Sequence, residues 1–132
     1  MELKVRFPVD DQVLSTLHAL AFGSAAGDVQ PWAARLERHA LTWVGAFDNE
    51  QLIGFVQVCW DGGAHAFVLD TAVHPDHGRR GIGRLLVARA ADEARAAGCE
   101  WLHVDYEPHL TDFYVGACGF SPTDAALLRL RG

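Results

Sequence analysis

No apolar run approaches the ~20 residues that a membrane-spanning helix needs, so no segment reads as a membrane span and no membrane partner is expected. Cysteine is scarce: Cys59, Cys99 and Cys118 are odd in number, far apart and flanked by apolar neighbours. That spacing excludes a disulfide framework and suggests buried free thiols in a reducing compartment. No Cys-x-x-Cys pair or close His/Cys cluster offers a zinc site, and no metal is expected. Positive charge is short as well, with 11 Lys and Arg against 17 Asp and Glu and a net charge of −6. A nucleic-acid binder needs a positive surface to displace counterions, so no nucleic-acid partner is expected. The opening residues, with Glu2, Lys4 and Arg6 among them, lack a signal-peptide pattern, and a cytoplasmic location is expected.

What remains is the composition of a globular domain, half apolar and 21% charged. No repeat, low-complexity tract or linker divides it, so residues 1–132 read as one domain. Leu3–Phe7 alternates as a strand ended by Pro8. Asp10 or Asp11 can cap a helix to about Phe22, with Val13, Leu14, Leu17 and Leu20 as its apolar stripe. Pro31 starts a short helix to about His39. Leu41–Phe47 and Gln51–Trp60 form a hairpin about Asp48-Asn49-Glu50. Ala64–Val73 barely alternates, which predicts a strand covered on both faces. Leu85–Ala97 reads as a helix, with Ile82, Leu86, Ala90, Ala94 and Ala97 on one face, an Arg89–Glu93 pair and Gly98 beyond its end. Trp101–Tyr106 is a further strand and Leu110–Ala117 a short helix. Phe120 and Ala126–Leu130 suggest a closing hairpin. The order is β-α-α-β-β-β-α-β-α-β-β, an α/β domain with a mixed sheet.

The chemistry concentrates in Leu69–Leu86, LDTAVHPDHGRRGIGRLL. A turn that opens a helix directs unpaired N–H groups outward, with the positive end of the helix dipole behind them. Gly78, Gly81 and Gly83 lack Cβ atoms, which lets a diphosphate approach the main chain. Arg79, Arg80 and Arg84 make a local anion-attracting spot on an acidic chain. The spacing fits neither a P-loop nor Gly-x-Gly-x-x-Gly. A plain glycine turn before a helix is the alternative.

Ala72-Val73-His74-Pro75, followed by Gly81-Ile82-Gly83 and a helix with Leu85-Leu86, resembles the cofactor motif of the GNAT acetyltransferases, written Gln/Arg-x-x-Gly-x-Gly/Ala. Phe113-Tyr114 and Gly119-Phe120, after the Trp101–Tyr106 strand, resemble that family's Phe-Tyr…Gly-Phe ending. The resemblance implies a mainly antiparallel sheet whose fourth and fifth strands splay into a V. Acetyl-CoA would lie in that gap as cosubstrate. Its pantetheine arm would pair with main chain near Thr71, Ala72 and Val73. Its pyrophosphate would be held by Gly78, Arg79, Arg80, Gly81, Ile82, Gly83 and Arg84. Two departures stand out: Gly78 occupies the Gln/Arg position, and the asparagine common after the fifth strand is missing.

The implied reaction is attack of an amine on the acetyl thioester, with an oxyanion to stabilise and a thiolate to protonate. An N–H near Val73 is the oxyanion donor that this resemblance implies. Tyr114 is the candidate acid, a phenol of pKa ~10 close to the coenzyme sulfur; a half-buried helix aromatic is its alternative. For the base, Asp70, His74, Asp105 and Glu107 remain, or a water chain; Phe67 and Leu69 occupy the positions where the family often carries Glu or His. Asp70 and Glu107 join Tyr114 as the candidate catalytic set, although Glu107 and Asp105 can instead hold a cationic substrate. His18, His39, His65, His77, His103 and His109 lack metal spacing and read as surface or capping groups. The four tryptophans read as core, with Trp32 nearest the expected acceptor pocket.

The expected activity is N-acetylation of a primary amine on a small molecule or peptide. A catalytically silent CoA-binding module and a non-enzymatic interaction domain are the alternatives. A homodimer stays open.

Overall fold

Asp10 fixes where the first helix begins. In the computed structural model, which describes residues 1–132 apart from Ala26 and Arg79, the Asp10 backbone is extended. Its carboxylate accepts a hydrogen bond from the Val13 amide at 3.0 Å. That bond satisfies one of the donors a helix start leaves open. Helix α1 runs Asp11–Ala21 and α2 runs Trp32–His39, directly after Pro31.

The strands are β1 (Glu2–Val5), β2 (Ala40–Asp48), β3 (Gln51–Trp60), β4 (His65–Val73) and β5 (Trp101–His103), in the spatial order β1-β2-β3-β4-β5. The first four pair antiparallel and β4 pairs parallel with β5. This is the mixed, mainly antiparallel α/β sheet that the sequence implies. The β2–β3 turn puts both Asn49 and Glu50 at positive φ, 48° and 69°, the left-handed pair that matches the twist of a tight hairpin.

Helix α3, Ile82–Ala96, covers one face of the sheet. It buries Ile82, Leu86, Val87, Ala90 and Ala94 at spacings of three and four, and four of these join a core cluster with Val44, Ile53, Val56, Val58 and Val68. Each large aliphatic side chain taken fully from water contributes about 1.5–3 kcal/mol. On the other face Leu14, Leu17, Trp32 and Leu36 pack against Phe7, Trp43, Leu52 and Phe55. Nε1 of the buried Trp43 donates to the Phe7 carbonyl at 2.9 Å. The Arg89–Glu93 pair forms as expected, at 3.3 Å.

Several expectations need correcting. Val13 and Leu20 are exposed, because the side chains that α1 buries are Leu14 and Leu17. Helix α3 starts at Ile82, and Ala97 is its exposed C-cap. Strand β4 is not covered on both faces: Ala66 and Val68 point into the α3 core, whereas Phe67 and Leu69 are 40% and 43% exposed because the α1–α2 layer stops short of them. Trp32 and Trp43 are core, but Trp60 and Trp101 are exposed. The three cysteines are free thiols, half-buried instead of buried. No closing hairpin forms among the described residues. Ser121–Gly132 has no regular structure and is exposed throughout, Leu127, Leu128 and Leu130 included. Pro122 and the lone Phe120 give the first arm of that hairpin too little surface to hold the second.

Candidate active site

Strand β5 pairs along its whole length with only the first three residues of β4. His65 opposes Trp101, Ala66 opposes Leu102 and Phe67 opposes His103. Strand β4 then continues to Val73 with no strand on that side among the described residues. The fifth strand, expected to reach Tyr106, ends at His103, where the separating chains can no longer share a hydrogen-bond ladder. At the closed end of the opening, His65 Nδ1 and His103 Nε2 lie 2.8 Å apart, and Phe67 stacks on His103 at 4.6 Å.

A bulge sits where β4 borders the opening. Gln57 opposes Leu69 and Phe55 opposes Ala72, so β4 takes three steps where β3 takes two. Asp70 absorbs the extra residue at φ 58°, an unusual conformation for a residue with a Cβ. The side chains of Asp70 and Thr71 therefore reach different neighbours. Asp70 meets the α1 side: Oδ1 lies 2.9 Å from His18 Nε2, and Oδ2 accepts from Gln57 Nε2 at 2.6 Å. Thr71 meets Tyr114.

Tyr114 is carried by a π-helical turn, Asp112–Ala117, preceded by a 3-10 turn at Pro108–Leu110. Such wide turns recur at functional sites, because they rotate side chains away from the regular helical register. Tyr114 is buried, stacked on Tyr106 at 5.2 Å and edge-on to Phe113 and Phe120. Burial raises the phenol above its ordinary value; the Thr71 hydroxyl opposes that shift, and Cys118 and Asp105 add to it. The buried Thr71 oxygen makes no hydrogen bond of good geometry, so it acts on the phenol as a neighbouring dipole.

The mouth of α3 lies at the end of β4. Gly81 is the N-cap, at φ 72°, with no side-chain cap. Nothing lies within 4 Å of where its Cβ would be. The N–H groups of Ile82, Gly83 and Arg84, without acceptors in their own helix, follow directly. Gly83 is closely packed. A Cβ there would sit 3.1 Å from Phe113 Cζ, so its bareness lets the Phe113–Tyr114 turn pack on the helix. Gly78 adopts an ordinary right-handed conformation (φ −69°), and a side chain there would meet only the Pro75 carbonyl, at 3.4 Å.

Arg80 reaches His77 Nδ1 at 2.7 Å and lies 3.7 Å from Asp48, while the exposed Arg84 is close enough to Cys118 to moderate the rise that burial imposes on its thiol. The expected contact from Arg79 lies outside the described residues. His74 caps the turn after β4, its Nδ1 accepting from the Asp76 amide.

The candidate carboxylates separate. Asp70 is partly buried with two partners, whereas the Glu107 side chain is 81% exposed with His109 at 3.6 Å. His18 and Gln57 belong to the Asp70 cluster and were missed. For His18 a signal existed: Leu14, Leu17, His18 and Ala21 follow the helical spacing of an inward stripe.

Two features fit a coenzyme with an extended arm and a diphosphate: the unpaired β4 edge and the open Gly81 mouth. Among the described residues no group of three or more His, Cys, Asp or Glu side chains can hold a metal, and no helix is long and apolar enough to cross a membrane.

The profile of the acetyltransferase (GNAT) family matches residues 12–120. An uncharacterized N-acetyltransferase, ycf52, of Pyropia yezoensis is 29% identical over 66 residues, covering 50% of this chain and 38% of the relative. The chain thus spans well under half of that relative's length. A putative acetyltransferase from Agrobacterium tumefaciens superposes with a TM-score of 0.81 at 20% identity, over 99% of this chain and 100% of that one. A protein of unknown function from meticillin-resistant Staphylococcus aureus, described as a probable acetyltransferase, gives 0.80 at 21%, over 99% and 100%. At such identities the likeness speaks for the fold. With the family profile spanning most of its length, the chain belongs to the GNAT acetyltransferase family.

Proposed function

We propose that residues 1–132 act as one acetyl-CoA-dependent N-acetyltransferase domain, moving an acetyl group to a primary amine of a small molecule or peptide by direct attack on the thioester. The observation that carries this reading is the gap between β4 and β5, opening beside the uncapped mouth of α3.

Acetyl-CoA supplies the activated acetyl group. Main-chain groups of Thr71, Ala72 and Val73 pair with its pantetheine arm as an added strand pairs with a free edge. The amides of Ile82, Gly83 and Arg84 face the pyrophosphate, with the helix dipole behind them and Arg84 and Arg80 adding charge. Gly78 and Gly81 leave the approach clear. An N–H near Val73 stabilises the oxyanion. Tyr114, kept neutral by its burial, gives its proton to the departing sulfur. Asp70 provides a carboxylate on the α1 side, and Glu107 adds negative charge at the exposed rim, where a cationic acceptor arrives. Free thiols suit a cytoplasmic setting, and the reading needs residues of one chain only, so it is compatible with a monomer or a homodimer.

Calorimetric titration with acetyl-CoA tests the cofactor half. Binding by the wild type, weakened by Gly81→Val, is expected; no heat at millimolar acetyl-CoA contradicts the reading. Turnover with any amine removes the alternative of a silent coenzyme-binding module.

A further inference from the structure

We propose that His18 is the proton acceptor for the incoming amine, held in its working tautomer by Asp70. This deepens the acetyltransferase reading and rests on it. Four observations meet at the imidazole. Nε2 of His18 lies 2.9 Å from Asp70 Oδ1. The second oxygen of Asp70 accepts from Gln57 at 2.6 Å, which fixes the carboxylate plane. The ring packs between Phe22, 4.5 Å between centroids, and Trp32, 5.1 Å. Asp70 itself is held at positive φ in the bulge, a strained conformation that persists only where the surroundings impose it.

A carboxylate accepts from Nε2–H, which leaves the lone pair on Nδ1. Such an orienting carboxylate is the device that fixes a general base in other enzymes. The titratable groups around the ring are Asp70 on β4 and, beyond Gln57, Cys59 on β3, whose thiol donates to the Gln57 carbonyl oxygen. The His18 side chain retains 30% exposure, enough for a substrate to reach it.

The bulge also explains why acid and base stand apart. Asp70 meets the α1 layer, whereas the next residue, Thr71, meets Tyr114. An amine entering from the α1 side attacks the carbonyl carbon while the sulfur leaves toward the phenol. His18 takes one proton from the acceptor ammonium and passes it to water. The neutral nitrogen then forms the C–N bond as the C–S bond breaks, and the electron pair of that bond leaves on sulfur. Tyr114 protonates the sulfur, and the second proton, shed by nitrogen, restores the phenol through solvent. One proton is released per turnover.

The test uses the full chain. His18→Ala should fold, bind acetyl-CoA with unchanged affinity and lose about 10²-fold in kcat, a general-base contribution; added imidazole should restore part of the rate. His18→Gln, which keeps a donor for Asp70, serves if the alanine variant is unstable and should lose as much. In nitrogen-15 spectra of the free protein, His18 should carry its proton on Nε2, and Asp70→Asn should move it to Nδ1 while lowering kcat. A rate within about twofold of wild type in His18→Gln, no imidazole rescue in a folded His18→Ala, or an Nδ1–H tautomer in the wild type overturns the proposal. Wild-type protein with no turnover on any amine removes the underlying reading and this one together; an active wild type with an equally active His18→Gln removes this one alone.

Discussion

His18 Nε2 and Asp70 Oδ1 meet at 2.9 Å across 52 positions of sequence, joining the last turn of α1 to the bulge in β4. The bulge borders the stretch where β5 no longer pairs. One contact thus ties the helical layer on one face to the edge of the strand opening.

The two glycines at the mouth of α3 should respond differently to a methyl group. Gly81→Ala forces a side chain into the left-handed region, a cost of about 1–2 kcal/mol, yet meets no atom within 4 Å. Gly83→Ala keeps its helical backbone but pushes on the Phe113 ring, which must yield by a few tenths of an ångström. Thermal denaturation should register the first as a loss of stability. The second should appear as shifted Phe113 and Tyr114 resonances with a fall in kcat.

Tyr114→Phe should lower kcat by about 10²-fold or more with little effect on acetyl-CoA binding. Burial raises the phenol above the ordinary tyrosine value of about 10, with Thr71 opposing. Below that value the phenol is neutral in both native and unfolded chains. As pH climbs past it, the unfolded chain ionises first, so the native state holds more protons and unfolding free energy falls with pH. Cys59 and Cys118, also raised mainly by burial, add the same slope to both proteins. Above about pH 10 the wild type should therefore lose melting temperature faster than Tyr114→Phe; parallel curves would contradict the burial of the phenol.

Cys59 offers a separate view of the Asp70 charge. Desolvation raises its thiol first and the negative Asp70 second. Asp70→Asn removes the second cause, so Cys59 should alkylate faster at pH 8 in a background with Cys99 and Cys118 changed to serine. An unchanged rate would mean that the carboxylate does not act on the thiol.

Leu86 is fully buried between α3 and the sheet. Leu86→Ala should cost about 2–5 kcal/mol in chemical denaturation, a loss able to unfold the domain at 37 °C.

Local chemistry made much of this fold legible. Asp10, Pro31 and the Asp48–Glu50 turn mark their elements directly, and the spacing of Leu86, Ala90 and Ala94 gives the buried face of α3. What escaped depends on tertiary placement. The long apolar run of β4 does not say that its Phe67 face is left open, because that depends on how far the α1–α2 layer extends. The glycine spacing does not announce that Phe113, 30 positions later, packs against Gly83. The bulge at Asp70 has no glycine to announce it, so the partnership with His18 stays invisible while β4 is read as a regular strand.

The most direct measurement is thiol release from acetyl-CoA across a panel of primary amines, with Tyr114→Phe alongside. The account predicts release that depends on the amine, saturates with acetyl-CoA and drops sharply in the variant. Release from no amine, or a rate that Tyr114→Phe leaves unchanged, would contradict it.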